Sequence, residues 1–200
     1  MKKNIKRVTR LISSLWPKFR NFYYLQFRSI FSSELTLNLS STVSVIQPTY
    51  LSGTGCIEIG HGVTFGFKFG GYFRSNCIEL IVRNGGMIRV GAGTHFNNNV
   101  FISSHKHVEI GVDCLIGHNC EFSDADGHEI DPERRKCSPG ITEPTVIGDN
   151  VWLGNNCKIL RGACVGDNSI VAAGAVVKGK FGANCIIGGI PAKTIREIES

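Results

Sequence analysis

One spacing constrains this chain more than any other feature: an aliphatic residue returns at every sixth position between residues 147 and 177. These positions hold Ile147, Leu153, Ile159, Val165, Val171 and Val177. The spacing matches neither the 3.6-residue period of an amphipathic helix nor the two-residue period of a half-buried strand. Four residues after each aliphatic, five successive units carry a small or modest side chain, namely Val151, Cys157, Ala163, Ser169 and Ala175, and Phe181 follows. Such a repeat predicts a solenoid.

A six-residue unit has room for one short strand and one corner. Three units would close a triangular coil, with the aliphatic side chain pointing inward and the small one near the corner. Gly, Asn and Asp fill the intervening positions, and they tolerate the left-handed backbone that tight corners need. Coils stacked at the strand spacing of about 4.8 Å would bury one continuous apolar column that no single coil could bury alone.

The same spacing recurs upstream with interruptions. Val90, Phe96, Ile102 and Val108 follow it, and then Ile110, Ile116 and Phe122 follow it two residues out of phase. We therefore expect a two-residue insertion at one corner, near residues 105–107. Residues 70–86 do not keep the register, which predicts one or more stretched or bulged coils there.

The repeat stops between Phe122 and Ile147. Residues 123–146 contain three prolines and a cluster of charged side chains, a composition typical of a loop. An excursion of roughly 20 residues from a compact solenoid is uncommon and usually functional. This segment is therefore the first candidate for chemistry.

Composition favours one intracellular domain. The 200 residues include 24 glycines and only 19% charged residues, as in a turn-rich solenoid. Eight cysteines are present, but Cys114, Cys120 and Cys157 fall in the small inward slot of the repeat, where they act as small apolar residues. The sequence has no CxxC pair and no apolar run long enough to span a membrane. We expect free thiols in a reducing compartment and a cytoplasmic protein.

The basic character of the chain is concentrated at its N-terminus. The net charge is +6, and residues 1–33 alone carry eight Lys and Arg and no acidic residue. Residues 1–35 are also rich in aromatic and aliphatic side chains, some at helical spacing. They predict either a helical cap over the open end of the solenoid or a cationic arm that rests on the inner face of the membrane. No nucleic-acid reader motif accompanies the charge, so we do not expect a nucleic-acid partner.

Three segments of the chain resemble the hexapeptide-repeat acyltransferase superfamily, in particular its sugar O-acetyltransferases of the galactoside, maltose and capsule or colanic acid types. They are Ser123–Ile130 (SDADGHEI), Ile147–Gly154 (IGDNVWLG) and Gly189–Arg196 (GIPAKTIR). The resemblance extends over residues 88–198. It implies an all-β fold, a left-handed parallel β-helix solenoid at 36–190 with a projecting active-site loop at 123–146. An N-terminal helical segment and a short C-terminal tail helix at 191–200 would complete it, and members of the superfamily usually form trimers.

The resemblance places the chemistry at one histidine. His128 matches the catalytic base, and histidine suits this task because it titrates nearest neutral pH. Asp126 or Asp124 could hold the imidazole tautomer, although a backbone carbonyl would serve equally. Attack of a hydroxyl on a thioester places negative charge on the carbonyl oxygen, which needs a hydrogen-bond donor. Asn155 or a nearby backbone N–H is the candidate donor.

The resemblance also implies acetyl-CoA as the acyl donor and no metal. The pantetheine amides of acetyl-CoA would pair with backbone near residues 173–175, and its phosphates need cations. The candidate cofactor-binding residues are Trp152, Ala173, Gly174, Ala175, Lys178, Lys180, Lys193 and Arg196. For the acceptor the candidates are Asn97 and Asn99, although asparagines are also ordinary corner residues in a solenoid.

Together these features predict an acetyl-CoA-dependent O-acetyltransferase that acts on a sugar hydroxyl of a surface polysaccharide or its precursor. We expect direct transfer in a homotrimer whose active sites lie between subunits. Two alternatives stay open. A γ-type carbonic anhydrase-like zinc enzyme shares this fold and would draw its ligands from His105, His107, His118 and His128. A non-enzymatic solenoid scaffold would not bind coenzyme A.

Overall fold

A computed structural model describes residues 34–138 and 140–199, together with Phe19 and Tyr23. From residue 34 onward these residues form strands, turns and loops. The segment predicted to form a helical cap or arm, residues 1–35, lies almost wholly outside them. Within the described part of the chain, no helix is long and apolar enough to cross a membrane.

Short strands separated by turns make up the described chain. In order they are β1 (Leu35–Leu39), β2 (Ser44–Val45), β3 (Thr49–Ile59), β4 (Thr64–Phe65), β5 (Ile78–Val90), β6 (His95–Phe96), β7 (Phe101–Ser104), β8 (His107–Ile110), β9 (Leu115–Ile116), β10 (Glu121–Ser123), β11 (Thr145–Ile147), β12 (Trp152–Leu153), β13 (Lys158–Ile159), β14 (Cys164–Val165), β15 (Ile170–Val171), β16 (Val176–Val177), β17 (Lys180–Phe181), β18 (Cys185–Gly189) and β19 (Ala192–Glu197).

The strands wind into a left-handed parallel β-helix with three faces, which confirms the predicted fold class. Face 1 is the sheet β2-β4-β6-β9-β12-β15-β18, to which β19 adds an edge. Face 2 is β7-β10-β13-β16 and face 3 is β8-β11-β14-β17. The long strand β5 pairs with both β7 and β8, so faces 2 and 3 are two bent halves of one sheet.

The coil contains three six-residue units, as the repeat predicts. Ile147 pairs with Val165, and Leu153 pairs with Val171, in parallel register. Each aliphatic residue of the repeat is at most 1% exposed. The small-slot residues Val151, Cys157, Ala163, Ser169 and Ala175 are buried as well. The inward column therefore forms the core.

The predicted irregularities also occur. Val90 pairs with Ile110, twenty residues on, so the coil between them carries the expected two-residue insertion. Residues 66–77 leave the coil as a loop, and the pairing of β3 with β5 shifts register between Gly53 and Gly55. A further shift was not predicted: Phe181 pairs with Val165 instead of filling a small slot, so the last coil is shortened.

Three corners join the faces, and each is a column of equivalent turns. Corner A, between faces 1 and 2, contains residues 97–99, 117–119, 154–156 and 172–174. Corner B, between faces 2 and 3, contains residues 123–125, 160–162 and 178–179, and corner C lies between faces 3 and 1. In corner A, Asn99, Asn119 and Asn156 all adopt left-handed backbone angles with φ between 57° and 61°. Asparagine tolerates this conformation because its short side chain can hydrogen-bond locally.

The predicted C-terminal tail helix at 191–200 is wrong. Residues Ala192–Glu197 instead form β19, which runs antiparallel to β18. β18 ends face 1, so without β19 its outer backbone groups would have no strand partner. Thr194 and Ile195 are β-branched and suit a strand. The need to pair an open sheet edge thus decides the conformation of this segment.

Candidate active site

Corner A collects residues predicted for three different roles. The backbone N–H groups of Asn97, Gly117 and Gly154 donate to the carbonyls of Ile116, Leu153 and Val171, each one coil further along. The candidate acceptor residue Asn97 and the candidate oxyanion donor Asn155 therefore lie two coils apart on the same corner. Ala173 and Gly174, the candidate coenzyme A contacts, occupy the next coil. Because neighbouring coils are about 4.8 Å apart, this column is long enough for an extended ligand.

A cleft of about 450 Å³ runs beside corner A on the outside of face 1. It is lined by Ile46, Thr64, Gly66, Phe67, His95, Phe96, Asn97, Leu115, Ile116, Gly117, Trp152 and Asn155. Trp152, predicted to contact the cofactor, projects from β12 and is 53% exposed. The structure thus brings Asn97, Trp152 and Asn155 into one concave site.

The amide of Asn155 is held by the backbone of the neighbouring coil. Its Oδ1 accepts a hydrogen bond from the His118 N–H at 3.0 Å. This contact fixes the amide plane and uses the oxygen as acceptor, so Nδ2 is the group left to donate. Within the described residues no hydrogen bond occupies Nδ2. The arrangement suits the donor role predicted for Asn155.

The two candidate acceptor residues differ in their surroundings. Asn99 Nδ2 donates to Asn119 Oδ1 at 2.7 Å, and Asn119 Nδ2 donates to Asn156 Oδ1 at 2.8 Å. Asn99 is thus the first member of an asparagine ladder, a structural role in the corner. Asn97 is a lining residue of the cleft, and its Oδ1 accepts the N–H of the next residue at 2.8 Å. Of the pair, Asn97 is placed to meet a ligand.

His128 lies on the loop between β10 and β11, which leaves the solenoid at corner B. Its side chain is exposed, and Nδ1 lies 2.8 Å from the carbonyl oxygen of Arg135. Because a carbonyl can only accept, Nδ1 carries the proton in this contact and Nε2 is free to take one. The carbonyl thereby serves as the group that holds the tautomer, which was one of the predicted options.

The two aspartates proposed for that task have other partners. Asp124 is fully buried and accepts the Ser104 hydroxyl and the N–H groups of His105, Lys106 and His107 at 2.6–2.8 Å. It therefore holds the two-residue insertion. Asp126 forms a short ion pair with Arg161. Neither carboxylate contacts the imidazole among the described residues.

Arg161 is a residue that the sequence reading missed. Its side chain is 12% exposed and binds two carboxylates, Asp126 near the start of the loop and Glu143 near its end, the latter with Nη1 and Oε2 3.0 Å apart. The hydrogen bond to Asp126 raises the pKa of the guanidinium, so Arg161 stays charged. Arg161 clamps both ends of the loop that carries His128. The one signal was an arginine at a corner position where other units place Asp, Asn, Ala or Gly.

The candidate coenzyme A residues are spread over the lower coils. Ala173 and Gly174 are exposed at corner A, whereas Ala175 is buried in the core. Lys178 lies at corner B and Lys180 on face 3, both exposed. Lys193 and Arg196 lie on β19, at the end of face 1. One chain does not gather these four cations around residues 173 and 174.

The buried cysteines are not placed to act as nucleophiles. All eight are free, and four are buried. Burial raises the pKa of Cys114. A hydrogen bond with the Cys157 thiol, together with burial, raises the pKa of Cys120. The same hydrogen bond lowers the pKa of Cys157, but this thiol is fully buried in the core, so a reactant does not reach its sulfur. Direct transfer stays a prediction.

The histidines named for a zinc site do not converge in the described part of one chain. His105 Nδ1 contacts Asn84 Nδ2 at 3.2 Å, and His107 Nε2 contacts Glu109 at 3.0 Å. Within these residues no group of three His, Cys, Asp or Glu side chains is placed to hold a metal ion. The zinc alternative therefore has no ligand set here.

Comparison with known proteins points to the same class. Residues 144–179 match the family described as bacterial transferase hexapeptide (six repeats). The chain is 36% identical to the galactoside O-acetyltransferase of Escherichia coli over 114 residues, 57% of this chain. It spans little more than half, 56%, of the length of that relative.

Two further matches cover more of the chain. A putative lipopolysaccharide biosynthesis O-acetyl transferase of Escherichia coli is 30% identical over 158 residues, 75% of this chain and 76% of the relative. Among solved structures, a hexapeptide-repeat acetyltransferase of Vibrio cholerae in complex with acetyl coenzyme A is 32% identical, with a TM-score of 0.58 over 70% of each chain.

Proposed function

The chain belongs to the bacterial hexapeptide-repeat transferases, and from this premise we propose that it transfers an acetyl group from acetyl-CoA to a sugar hydroxyl. The observation that carries the proposal is the column at corner A. There Asn97 and the held amide of Asn155 line one cleft, and the exposed backbone at residues 173–174 follows on the next coil of the same corner. The relatives named above are themselves acetyltransferases.

His128 acts as the general base in this proposal. Its Nε2 takes the proton of the sugar hydroxyl while the hydroxyl oxygen attacks the thioester carbonyl carbon. The negative charge that develops on the carbonyl oxygen is stabilised by the Asn155 amide. When the C–S bond breaks, the imidazolium returns its proton to the coenzyme A sulfur. The Arg135 carbonyl stabilises the imidazolium through Nδ1–H.

The complete site lies between two subunits. The loop with His128 leaves corner B, whereas Asn155 and the cleft lie at corner A, with face 2 between them. A neighbouring copy that places its loop over corner A would bring its His128 close to Asn155. We propose a homotrimer on this ground, in which the phosphate-binding cations are gathered in the same way. We also propose a cytoplasmic location.

The acceptor is proposed to be a sugar of a surface polysaccharide or its precursor. The support is the lining of the cleft, which combines the polar side chains of Asn97 and His95 with the apolar side chains of Leu115 and Trp152. Hydroxyls of a sugar would meet the amide and the imidazole, while its C–H groups would pack on Leu115 and Trp152.

An assay of acetyl transfer to a panel of sugar acceptors tests this function. Turnover is measured as the release of the coenzyme A thiol from acetyl-CoA. We expect turnover by the native chain and a loss of at least about 100-fold in kcat for His128→Ala, because general base catalysis typically contributes that much. His61→Ala is the matched control, since His61 is an exposed corner C residue far from the loop. Equal rates for His128→Ala and the native chain would remove the base assignment. A native chain that binds no acetyl-CoA would favour the scaffold alternative.

A further inference from the structure

A loop on the rim of the cleft exposes several aromatic side chains. Residues 66–77, here called the aromatic loop, leave face 1 after β4 and return at β5. Phe67, Phe69 and Tyr72 are 51%, 83% and 44% exposed. Phe67 and Phe69 meet edge to face, with ring centroids 6.0 Å apart. Large apolar side chains exposed side by side gain nothing for folding, and such patches usually mark binding sites.

Two buried amides hold the backbone of the aromatic loop. Gln47 and Asn98 are both fully buried. Gln47 Nε2 donates to the carbonyl oxygens of Tyr72 and Asn76, at 2.8 and 3.0 Å. Asn98 accepts the Phe67 N–H at 2.8 Å and donates to the carbonyls of Phe67 and Gly71 at 2.8 and 2.9 Å. The exposed aromatic side chains thus stand on a rigid base.

The loop lies directly against the candidate acceptor residue. A Cβ at Gly70 would come within 2.4 Å of Asn97 Oδ1, so only glycine permits this approach. Tyr72 contacts His118 of corner A, with ring centroids 5.3 Å apart. A sugar bound at Asn97 would therefore continue across the aromatic loop.

The charged residues of the aromatic loop are both basic. Residues 59–78 contain Lys68 and Arg74 and no acidic residue. Neither cation forms an ion pair with the described residues, although Lys68 Nζ lies 5.8 Å from the Phe69 ring centroid. The nearest carboxylates in sequence are engaged elsewhere, Glu58 with Arg89 and Glu79 with the Cys77 thiol.

We propose that the aromatic loop binds an acidic oligosaccharide, whose carboxylate-bearing sugars extend from the acceptor hydroxyl at Asn97. The inference rests on the proposed function and names the substrate class of that site. The polarised C–H groups of sugar rings stack on the negative faces of Phe67, Phe69 and Tyr72. Lys68 and Arg74 pair with the sugar carboxylates. Charge complementarity selects this ligand over a neutral glycan.

Titration calorimetry with the full chain, without acetyl-CoA, tests the proposal. The probes are two acidic oligomers, tetragalacturonate and a hyaluronan tetrasaccharide, and neutral maltotetraose of the same length. We expect at least one acidic oligomer to bind about 2- to 10-fold more tightly than the neutral one at low salt, and the difference to vanish at high salt.

Variants of exposed side chains assign the effect without endangering the fold. Phe69→Ala should weaken binding of the acidic oligomer about 2- to 10-fold. The double variant Lys68→Gln with Arg74→Gln should bind acidic and neutral oligomers equally. Val112→Ala and Lys106→Gln, exposed positions away from the aromatic loop, are the matched controls and should bind as the native chain does.

Four outcomes of the binding and light-scattering experiments would overturn the proposal: equal binding of acidic and neutral oligomers, no binding of either acidic oligomer, native affinity in both loop variants, or a changed subunit number of Phe69→Ala. The last would make the loop an interface between copies. A native chain that binds the acidic oligomer but never acetylates a sugar would instead refute the proposed function. Unchanged acetylation of acidic and neutral acceptors by the loop variants would refute only the acidic-ligand site.

Discussion

Asp124 shows how one residue can hold the solenoid at its most irregular point. Its buried carboxylate accepts four hydrogen bonds from residues 104–107, at the two-residue insertion. The fold tolerates this buried carboxylate because hydrogen-bond donors take the place of water around it. Asp124 is also the first residue after β10, so the same carboxylate fixes where the loop that carries His128 leaves the coil.

We expect Asp124→Asn to lower the free energy of unfolding by about 3 kcal/mol, because the new amide hydrogens would face backbone N–H donors and leave buried groups unpaired. Denaturant unfolding measures the change. Asp113→Asn is the control: Asp113 is exposed in a corner C turn, where asparagine is equally suited, and the change should be about 0.5 kcal/mol or less. If Asp124→Asn lowers the free energy of unfolding no more than Asp113→Asn does, the four contacts do not stabilise the fold.

The reactivity of Cys77 should depend on its neighbour Glu79. Burial and the hydrogen bond from Sγ to Glu79 Oε1, at 3.3 Å, raise the pKa of Cys77 from 9.0 to about 11. Since the thiolate is the nucleophile, only roughly one thiol in a thousand is reactive at pH 8. We therefore expect Cys77 to be alkylated slowly at pH 8 and at a rate that rises steeply toward pH 11. Peptide mass spectrometry measures this rate.

The matched variant for this test is Glu79→Gln, which removes the charge but keeps the shape. It should lower the pKa of Cys77 and speed its alkylation at pH 8, whereas the exposed Cys137 should react at the same rate in both proteins. Alkylation of Cys77 that is already as fast as that of Cys137 in the native chain would contradict the prediction.

Among the elements, one cation links the two ends of the long loop, which backbone hydrogen bonds between residues 124–126 and 141–143 also join. Arg161 joins Asp126 and Glu143 at the two ends of the loop, across corner B. We expect Arg161→Ala to lower kcat about 10- to 100-fold, because a small displacement of His128 misplaces the base. The KM for acetyl-CoA should stay within about 2-fold, since bound acetyl-CoA is proposed to lie along corner A.

Hydrogen exchange distinguishes positioning by Arg161 from a general loss of stability. Residues 126–143 should exchange faster in Arg161→Ala while the coils keep native protection. Arg89→Ala is the matched control, because Arg89 also forms an ion pair, with Glu58 at 2.9 Å, but has no contact with the loop. A native rate of exchange in the loop, or the same kcat loss in both variants, would remove the positioning role.

The elements also separate what the sequence can predict from what it cannot. The repeat from Ile147 to Val177 predicts strands, corners and coil length because one local rule, an inward residue every sixth position, governs each unit. This rule does not predict the conformation of residues 192–197, because that conformation depends on the open edge of β18. The rule also does not predict the ion pair of Asp126, because Arg161 lies 35 residues away in sequence and contacts Asp126 only when the coils stack.

For the whole molecule, the proposed site needs a second copy of the chain. A single chain keeps His128 at corner B and Asn155 at corner A. The motifs around these residues can be recognised in the sequence, but their separation by face 2 is visible only in the folded coil. If each site takes His128 from one subunit and Asn155 from the next, two different inactive variants should regain activity when they assemble together.

Subunit mixing tests this arrangement. His128→Ala and Asn155→Ala should each lose activity, the second by about 100-fold or more, as for removal of an oxyanion donor. Unfolded together and refolded at equal amounts, the two chains should recover about a quarter of the native activity, because that share of the interfaces in a cyclic trimer pairs an intact His128 with an intact Asn155. Mixing without refolding is the control and should recover little. If refolded mixtures stay as inactive as the separate variants, His128 and Asn155 act within one chain, and the loop must reach across face 2 of its own solenoid.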